Sequence, residues 1–274
     1  MPQEKRQRQK AGRQFRQEQI RMAQARRRRR NRMISTGVLA AVVLLVLFAV
    51  SQITKDDKKS NVAANGSSTT VKGTKAVAPN CPKADGSSPR SLKFTGAPKM
   101  CIDPAKTYTA HVSTTEGDYD IVLDTKKTPG TANNFVFLSR YHYYDNTTIT
   151  RIDNSIEILQ SGSPHTETIS DPGPGYTIKD EGTGFQYSEG DVVMARSQGP
   201  DSGAAQYFLV YGPKAAALNG QGTYVTFGKV SGDGLAVFKK IGALYEACPP
   251  ADQGCLGGRP NHKVTIKTIE IKES

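Results

Sequence analysis

Hydrophobic and polar residues alternate along much of the chain beyond residue 107, a pattern typical of β-strands with one buried face. Segments 108–113 and 119–123 both alternate, and the Glu116-Gly117 pair lies between them, so they predict a β-hairpin. Further strand-like runs lie at 191–195, 207–211, 224–230 and 263–271. The alternation in the last run slips by one residue near Lys267-Thr268, which predicts a β-bulge there.

Two segments carry apolar residues at helical spacing instead. The first begins at Thr128-Pro129, where proline is tolerated because the first turn leaves its missing N–H without a partner anyway. The second, 234–244, places Leu235, Phe238 and Ile241 three residues apart. Many short strands, Gly/Pro turns and only two helices predict a mainly β fold, a closed or nearly closed antiparallel barrel.

An apolar segment, Ile34–Ile53, predicts a transmembrane helix near the N-terminus. It is 20 residues long, and at about 1.5 Å per residue such a helix spans a hydrocarbon core of about 30 Å. A cleaved signal peptide ending near Ala49-Val50-Ser51 is the alternative. An uncleaved anchor is favoured because the region before the apolar run is longer than ordinary signal peptides carry.

Charge is concentrated in a basic tail, residues 1–33. The whole chain has 37 Lys or Arg and 25 Asp or Glu; the tail holds thirteen of the former and two of the latter, so the remainder is nearly neutral. A nucleic-acid partner is therefore not expected, since such a domain needs a basic face on its folded part. The positive-inside bias predicts a cytoplasmic tail, with residues 54–274 outside the cell membrane. The tail also suits contact with anionic lipid.

The remaining chain divides by composition. Residues 54–80 are rich in Ser, Thr, Lys, Asn, Gly and Ala and are predicted to be a flexible linker, since they cannot bury a core. Residues 81–106 form a cysteine-containing lead-in, and 107–274 form the main domain.

All four cysteines lie beyond the apolar segment, where an oxidising environment favours disulfides. Three connectivities are open, and the sequence does not choose among them; the pairing Cys81–Cys101 with Cys248–Cys255 is preferred because the two pairs flank the central region. No metal site is expected, because the cysteines are widely spaced and the histidines are scattered.

In this order, the segments resemble the cyclophilin-type peptidyl-prolyl isomerases over roughly Tyr108–Glu270. The resemblance rests on Gly117–Leu123, Thr128–Phe135, Tyr144–Arg151, Pro174–Glu181, Val193–Ala195, Gln206–Leu209 and Val225–Val230. It implies an eight-stranded closed barrel capped by two helices, and an enzyme that rotates X–Pro peptide bonds without cofactor or metal. In a membrane-anchored bacterial form, it would assist the folding of exported proteins, with proline-containing polypeptides as its partners.

The resemblance also implies roles for individual residues. Arg151 would be the catalytic cation, Gln160 would orient it, and Phe208 would form the floor of a proline pocket. The predicted substrate-binding residues are Ile158, Ala195, Gln206, Leu218 and Tyr224.

Among the positions that depart from the family pattern, three support an alternative function. Glu157 falls where a pocket phenylalanine is usual, Arg196 replaces an asparagine, and Ala217 replaces a large residue beside the pocket. A carboxylate at 157 would weaken an apolar pocket, or pair with Arg151 and compete with substrate. The alternative is a catalytically weak or inactive module that binds proline-containing segments.

Overall fold

The computed structural model describes residues 75–197, 199–249 and 255–274. The predicted basic tail 1–33, the transmembrane helix 34–53 and most of the linker 54–80 lie outside these ranges. Among the described residues, no helix has the length and apolar character needed to cross a membrane.

The alternating segments form the predicted hairpin. Strand β1 (Tyr108–Thr114) buries every second residue and pairs antiparallel with β2 (Tyr119–Leu123). Strand β11 (Thr265–Glu273) pairs along the other edge of β1. The register shifts where Ser113 opposes Thr268 but Thr114 opposes Ile266, so Lys267 is the extra residue of the predicted bulge.

The predicted closed barrel of eight strands is wrong. The strands form one open sheet of eleven, in the order β3-β11-β1-β2-β8-β6-β7-β5-β4-β10-β9. The remaining strands are β3 (Thr147–Thr148), β4 (Arg151–Asp153), β5 (Ile158–Ser161), β6 (Asp191–Arg196), β7 (Gly203–Val210), β8 (Thr226–Ser231), β9 (Tyr245–Ala247) and β10 (Gly258–Pro260). The chain changes partner between β3, which pairs with β11, and β4, which pairs with β5, and β10 and β9 extend the sheet beyond β4.

Two α-helices lie at the predicted positions. Helix α1 (Pro129–Arg140) begins at the proline and is buried along most of its length. Helix α2 (Gly234–Gly242) buries Phe238 and Ile241 and ends two residues before the predicted limit. A 3₁₀ helix (Pro213–Leu218) follows β7.

The sheet separates two apolar clusters because successive side chains of a strand point to opposite faces. The main core lies on the inner face, beneath the helices, and includes Ile152, Leu159, Tyr207 and Leu209 from β4, β5 and β7. A smaller cluster on the outer face takes alternate residues of β5 and β7, together with Val193 of β6, Ala215 of the 3₁₀ helix and Tyr187. Its buried members are Ile158, Tyr187, Val193, Phe208, Val210 and Ala215.

Both preferred disulfides are present, Cys81–Cys101 and Cys248–Cys255. The lead-in closed by the first one packs on the domain through Phe94, which is buried against the rings of Phe137, Tyr141 and Tyr176.

Candidate active site

Three adjacent strands place the predicted catalytic residues side by side. In the register of β4, β5 and β7, Arg151 lies opposite Gln160, and Gln160 lies opposite Phe208. Directly opposed residues share one face of a sheet with Cβ atoms about 5 Å apart. Backbone pairing therefore brings a cation, an amide and an aromatic ring together on the outer face.

Apolar side chains surround the Phe208 ring. Phe208 is buried in the outer cluster, and Tyr224 meets it edge-on, with ring centroids 5.7 Å apart and ring planes at 82°. Tyr187 holds Tyr224 in this position, because its hydroxyl donates to the Tyr224 carbonyl and accepts from the Tyr224 N–H. Burial raises the pKa of the Tyr187 hydroxyl, so it stays protonated and keeps both bonds.

A groove of about 700 Å³ runs across this face. All eight predicted catalytic and substrate-binding residues line it: Arg151, Ile158, Gln160, Ala195, Gln206, Phe208, Leu218 and Tyr224. The structure thus brings the whole predicted set to one site, while the role of each residue stays a prediction. Among the described residues, no cluster of three or more His, Cys, Asp or Glu has the arrangement of a metal site.

Among the described residues, the guanidinium of Arg151 has three partners. Nη1 donates to the Gln160 side chain at 3.1 Å, Nη2 to the Asp153 carboxylate at 2.5 Å, and Nε to the Leu256 carbonyl at 3.1 Å. Arginine carries five N–H donors, so two of them bind none of the described residues and could face a substrate. The side chain of Arg151 is 14% exposed, and its partner Asp153 is 13% exposed. The cation is therefore held in one orientation at the edge of the groove.

Gln160 connects this cation to the other end of the groove. Its Nε2 donates to Oε1 of Gln206 at 2.8 Å, and Gln206 Nε2 donates to the Ile169 carbonyl at 3.1 Å. Both amides are thereby oriented, because each oxygen accepts and each nitrogen donates.

The Asp153 carboxylate is charged at neutral pH. Burial tends to raise its pKa, but hydrogen bonds from Ser155 and the positive charge of Arg151 outweigh this effect and lower the pKa below its usual value. Because Asp153 is charged, the Arg151 guanidinium is held by a full ion pair on the side of Nη2.

The family follows from a comparison with known proteins. A family model described as cyclophilin type peptidyl-prolyl cis-trans isomerase/CLD matches residues 109–271, more than half of the chain. The chain belongs to this family. This cyclophilin is 30% identical over 210 residues to the probable peptidyl-prolyl cis-trans isomerase B of Mycobacterium leprae. The alignment covers 70% of this chain and 66% of that protein.

Two further proteins are similar to this chain. The peptidyl-prolyl cis-trans isomerase B of Bacillus subtilis is 38% identical over 115 residues, which cover 41% of this chain and 75% of that protein. A crystal structure of a cyclophilin-type peptidyl-prolyl cis-trans isomerase from Cryptosporidium parvum superposes with a TM-score of 0.50 at 26% identity. The superposition covers 61% of this chain and 99% of that one, so the likeness spans a whole cyclophilin domain.

The expectation that Glu157 disturbs the cyclophilin pocket is wrong. Its carboxylate accepts from the Lys214 N–H at 2.8 Å, lies 3.0 Å from Lys214 Nζ, and has a lowered pKa chiefly because of the backbone bond. Gly212 leaves room for it, since an added Cβ would overlap the carboxylate. Glu157 has a positive φ of 51° at the end of the β4–β5 turn, and the neighbouring Ile156 lines the groove instead.

The other two departures have different consequences. Arg196 lines the groove, but its guanidinium pairs with Asp180 at 3.2 Å and donates to the carbonyls of Gly199 and Thr223. It therefore ties three loops together at this wall. Ala217 is exposed on the 3₁₀ helix and does not line the groove, so no large side chain from that position closes the pocket.

Sequence reasoning missed Asp153, Ile156 and Leu256. Asp153 had a usable signal, because residues two apart on a strand share a face and Arg151 was already assigned to the groove. Leu256 had none, since it follows a cysteine in a segment without periodicity.

Proposed function

We propose that this cyclophilin catalyses cis–trans isomerisation of X–Pro peptide bonds in the groove on the outer face of the sheet. The observation that carries the proposal is the fixed guanidinium of Arg151, held beside an apolar pocket floored by Phe208 with Gln160 between them. A hollow of this kind holds the proline ring, and a cation at its edge meets the rotating amide.

The reaction needs no bond to be made or broken. Rotation about a peptide bond has a barrier of about 18–20 kcal/mol, because the planar amide loses its resonance when it twists. The proline nitrogen then regains a lone pair. A guanidinium N–H that donates to this lone pair binds the twisted state better than the planar one, and this difference lowers the barrier.

One hydrogen bond from the charged guanidinium supplies a sizeable acceleration. Such a bond contributes about 1.5–3 kcal/mol, which corresponds to roughly a ten- to hundredfold acceleration. Asp153, Gln160 and the Leu256 carbonyl fix the guanidinium before substrate arrives, so little orientation remains to be achieved during the reaction.

The ion pair with Asp153 favours one alternative, a module that binds proline-containing segments with weak or no catalysis. A carboxylate on Nη2 offsets part of the positive field that the twisted amide would meet. The orientation of Glu157 removes an argument for this alternative, because that carboxylate is bound at Lys214 and lies outside the groove.

We further propose that the substrates are exported, incompletely folded chains at the outer face of the cytoplasmic membrane. The support is the sequence of the basic tail and the apolar segment 34–53, together with two disulfides in the domain that follows. A fusion of residues 1–60 to a reporter that is active only outside the cytoplasm tests the orientation. A fusion that is produced but inactive would contradict it.

Exchange NMR on a proline peptide tests the activity without a coupled protease. The full chain should speed exchange between the cis and trans signals well above the uncatalysed rate, which is on the order of one event per tens to hundreds of seconds. Line shifts without faster exchange would indicate the binding module instead. Neither shifts nor faster exchange would contradict both functions.

A further inference from the structure

One large apolar side chain is exposed at the edge of the groove, that of Leu256. It is 53% exposed, and among the described residues only Met100 and Val122 are other large hydrophobic residues with comparable exposure. Leu256 differs from these two in its location, because it lines the groove together with Arg151. An exposed leucine at a binding groove invites contact with a ligand, whereas a scattered one needs no explanation.

The backbone of Leu256 is fixed from two sides. The Cys248–Cys255 disulfide closes the segment directly before it. Directly after it, Gly258 pairs with Ile152 of β4, and the carbonyl of Leu256 accepts from Arg151 Nε at 3.1 Å. The side chain therefore belongs to a segment tied to the strand that carries the arginine.

Gly257 shows how closely this segment lies on β4. It has a positive φ of 78°, and an added Cβ would lie 3.1 Å from the Ile152 carbonyl oxygen and 3.2 Å from the Asp153 carboxyl group. A residue with a side chain would push the segment away from the strand. Gly257 thus allows the backbone to lie against β4, which keeps Leu256 close to the Arg151 guanidinium.

The order of residues across the sheet places Leu256 on one side of the proline pocket. From β7 outward the groove presents Phe208, then Gln160, then Arg151, and then Leu256. With a proline on Phe208 and its amide at Arg151, the next position in this order is Leu256.

We propose that Leu256 forms a specificity subsite for an apolar side chain of the substrate residue that flanks the proline on the Arg151 side. This inference rests on the proposed groove function and adds a substrate preference to it. Among the described residues, the charged groups beside Leu256 are Asp153 and Arg151, and because they are paired with each other they favour an apolar side chain over a charged one.

The expected preference is modest. A substrate side chain that covers part of Leu256 removes on the order of 40 Å² of apolar surface from water, which at roughly 25 cal/mol per Å² is about a fivefold preference over serine.

Two peptide series test the subsite, each with leucine or serine on one side of the proline and alanine on the other. Wild-type protein should favour leucine about fivefold in kcat/KM in one series and not in the other. In Leu256→Ser the leucine-to-serine ratio should fall to about one. Met100→Ser, which removes a similarly exposed side chain that does not line the groove, should keep the wild-type ratio.

Peptide affinity, measured by NMR titration of the same series, separates failure of the subsite from failure of the enzyme. If no peptide is isomerised but the affinities show the preference and Leu256→Ser removes it, the subsite stands and the catalytic proposal fails. If Leu256→Ser retains the wild-type ratio, or if wild-type protein discriminates in neither series, the subsite is rejected.

Discussion

Replacing Asp153 by asparagine tests how the catalytic arginine is held. The carboxylate accepts from Arg151 Nη2 at 2.5 Å through one oxygen, and from the N–H and hydroxyl of Ser155 at 2.9 and 2.6 Å through the other. Asparagine keeps the size of the side chain but removes its charge. Among the described residues, Gln160 and the Leu256 carbonyl are then the partners of the guanidinium that keep their full strength.

The partial burial of the ion pair determines how much stability Asp153→Asn should lose. Removing one partner of a fully buried ion pair costs about 3–5 kcal/mol, and one charged hydrogen bond is worth about 1.5–3 kcal/mol. Because Arg151 and Asp153 each keep some exposure to solvent, a loss of about 2 kcal/mol in the free energy of unfolding is expected. That corresponds to a fall of roughly 4–8 °C in Tm for a domain of this size.

Catalysis should suffer separately from stability. With one of its three anchors weakened, the guanidinium samples orientations that miss the proline nitrogen, so kcat should fall about tenfold. KM should change less, because the apolar pocket around Phe208 is untouched. Exchange NMR at saturating and limiting peptide gives the two parameters, and Asp153→Glu should restore part of kcat, since it restores the charge.

The contribution of Asp153 to folding stability should disappear in acid. The folded-state pKa of Asp153 is lowered from 3.8, so its stabilising contribution is present above that value and is lost as the pH falls through the folded pKa. Wild-type protein should therefore lose more stability on acidification than Asp153→Asn. Thermal melts between about pH 7 and pH 2 should show the two proteins converging in acid.

Asp118→Asn is the matched control. Asp118 also accepts from a serine hydroxyl and a backbone N–H, of Ser113 and Thr114, but these bonds include no arginine. It should lower Tm less and leave kcat unchanged. An Asp153→Asn protein with wild-type kcat would refute the idea that the carboxylate positions the guanidinium.

Three further predictions use the same assays. Phe208→Leu should reduce kcat/KM about tenfold through a poorer fit of the proline ring, and an unchanged value would remove Phe208 from the pocket. Glu157→Gln should cost at most about 1 kcal/mol of stability and leave kcat/KM unchanged, because its carboxylate is bound at Lys214; a large rise in kcat/KM would show that Glu157 obstructs the groove. The double variant Cys248→Ser, Cys255→Ser should lower kcat several-fold by loosening the segment that carries the Leu256 carbonyl, and full activity would contradict that link.

Much of the fold was predictable because its longest elements follow simple periodicity. The β1–β2 hairpin, the bulge at Lys267 and the two helices were read from alternation, helical spacing and one N-terminal proline. The open sheet was not predictable in this way. Strands of two or three residues, such as β3, β9 and β10, are too short to show a period, and they determine how the sheet ends.

The candidate site was predictable where family resemblance supplied the register. Arg151, Gln160 and Phe208 meet because β4, β5 and β7 are neighbours, which no local pattern shows. The position of the Glu157 carboxylate was not predictable. A positive φ in the turn directs this side chain to Lys214, and residue types alone do not specify such a dihedral angle.

If one oriented guanidinium accelerates rotation of the proline amide, substitution of Arg151 must slow the reaction. Kinetic constants from exchange NMR and peptide affinities should be measured for wild type, Arg151→Lys and Arg151→Ala, with melting curves to establish that each variant folds. Arg151→Ala should lose roughly ten- to hundredfold in kcat while peptide affinity changes little. Arg151→Lys should fall in between, since it keeps the charge without the planar set of donors. A folded Arg151→Ala protein that isomerises at the wild-type rate would show that the guanidinium does not accelerate the rotation.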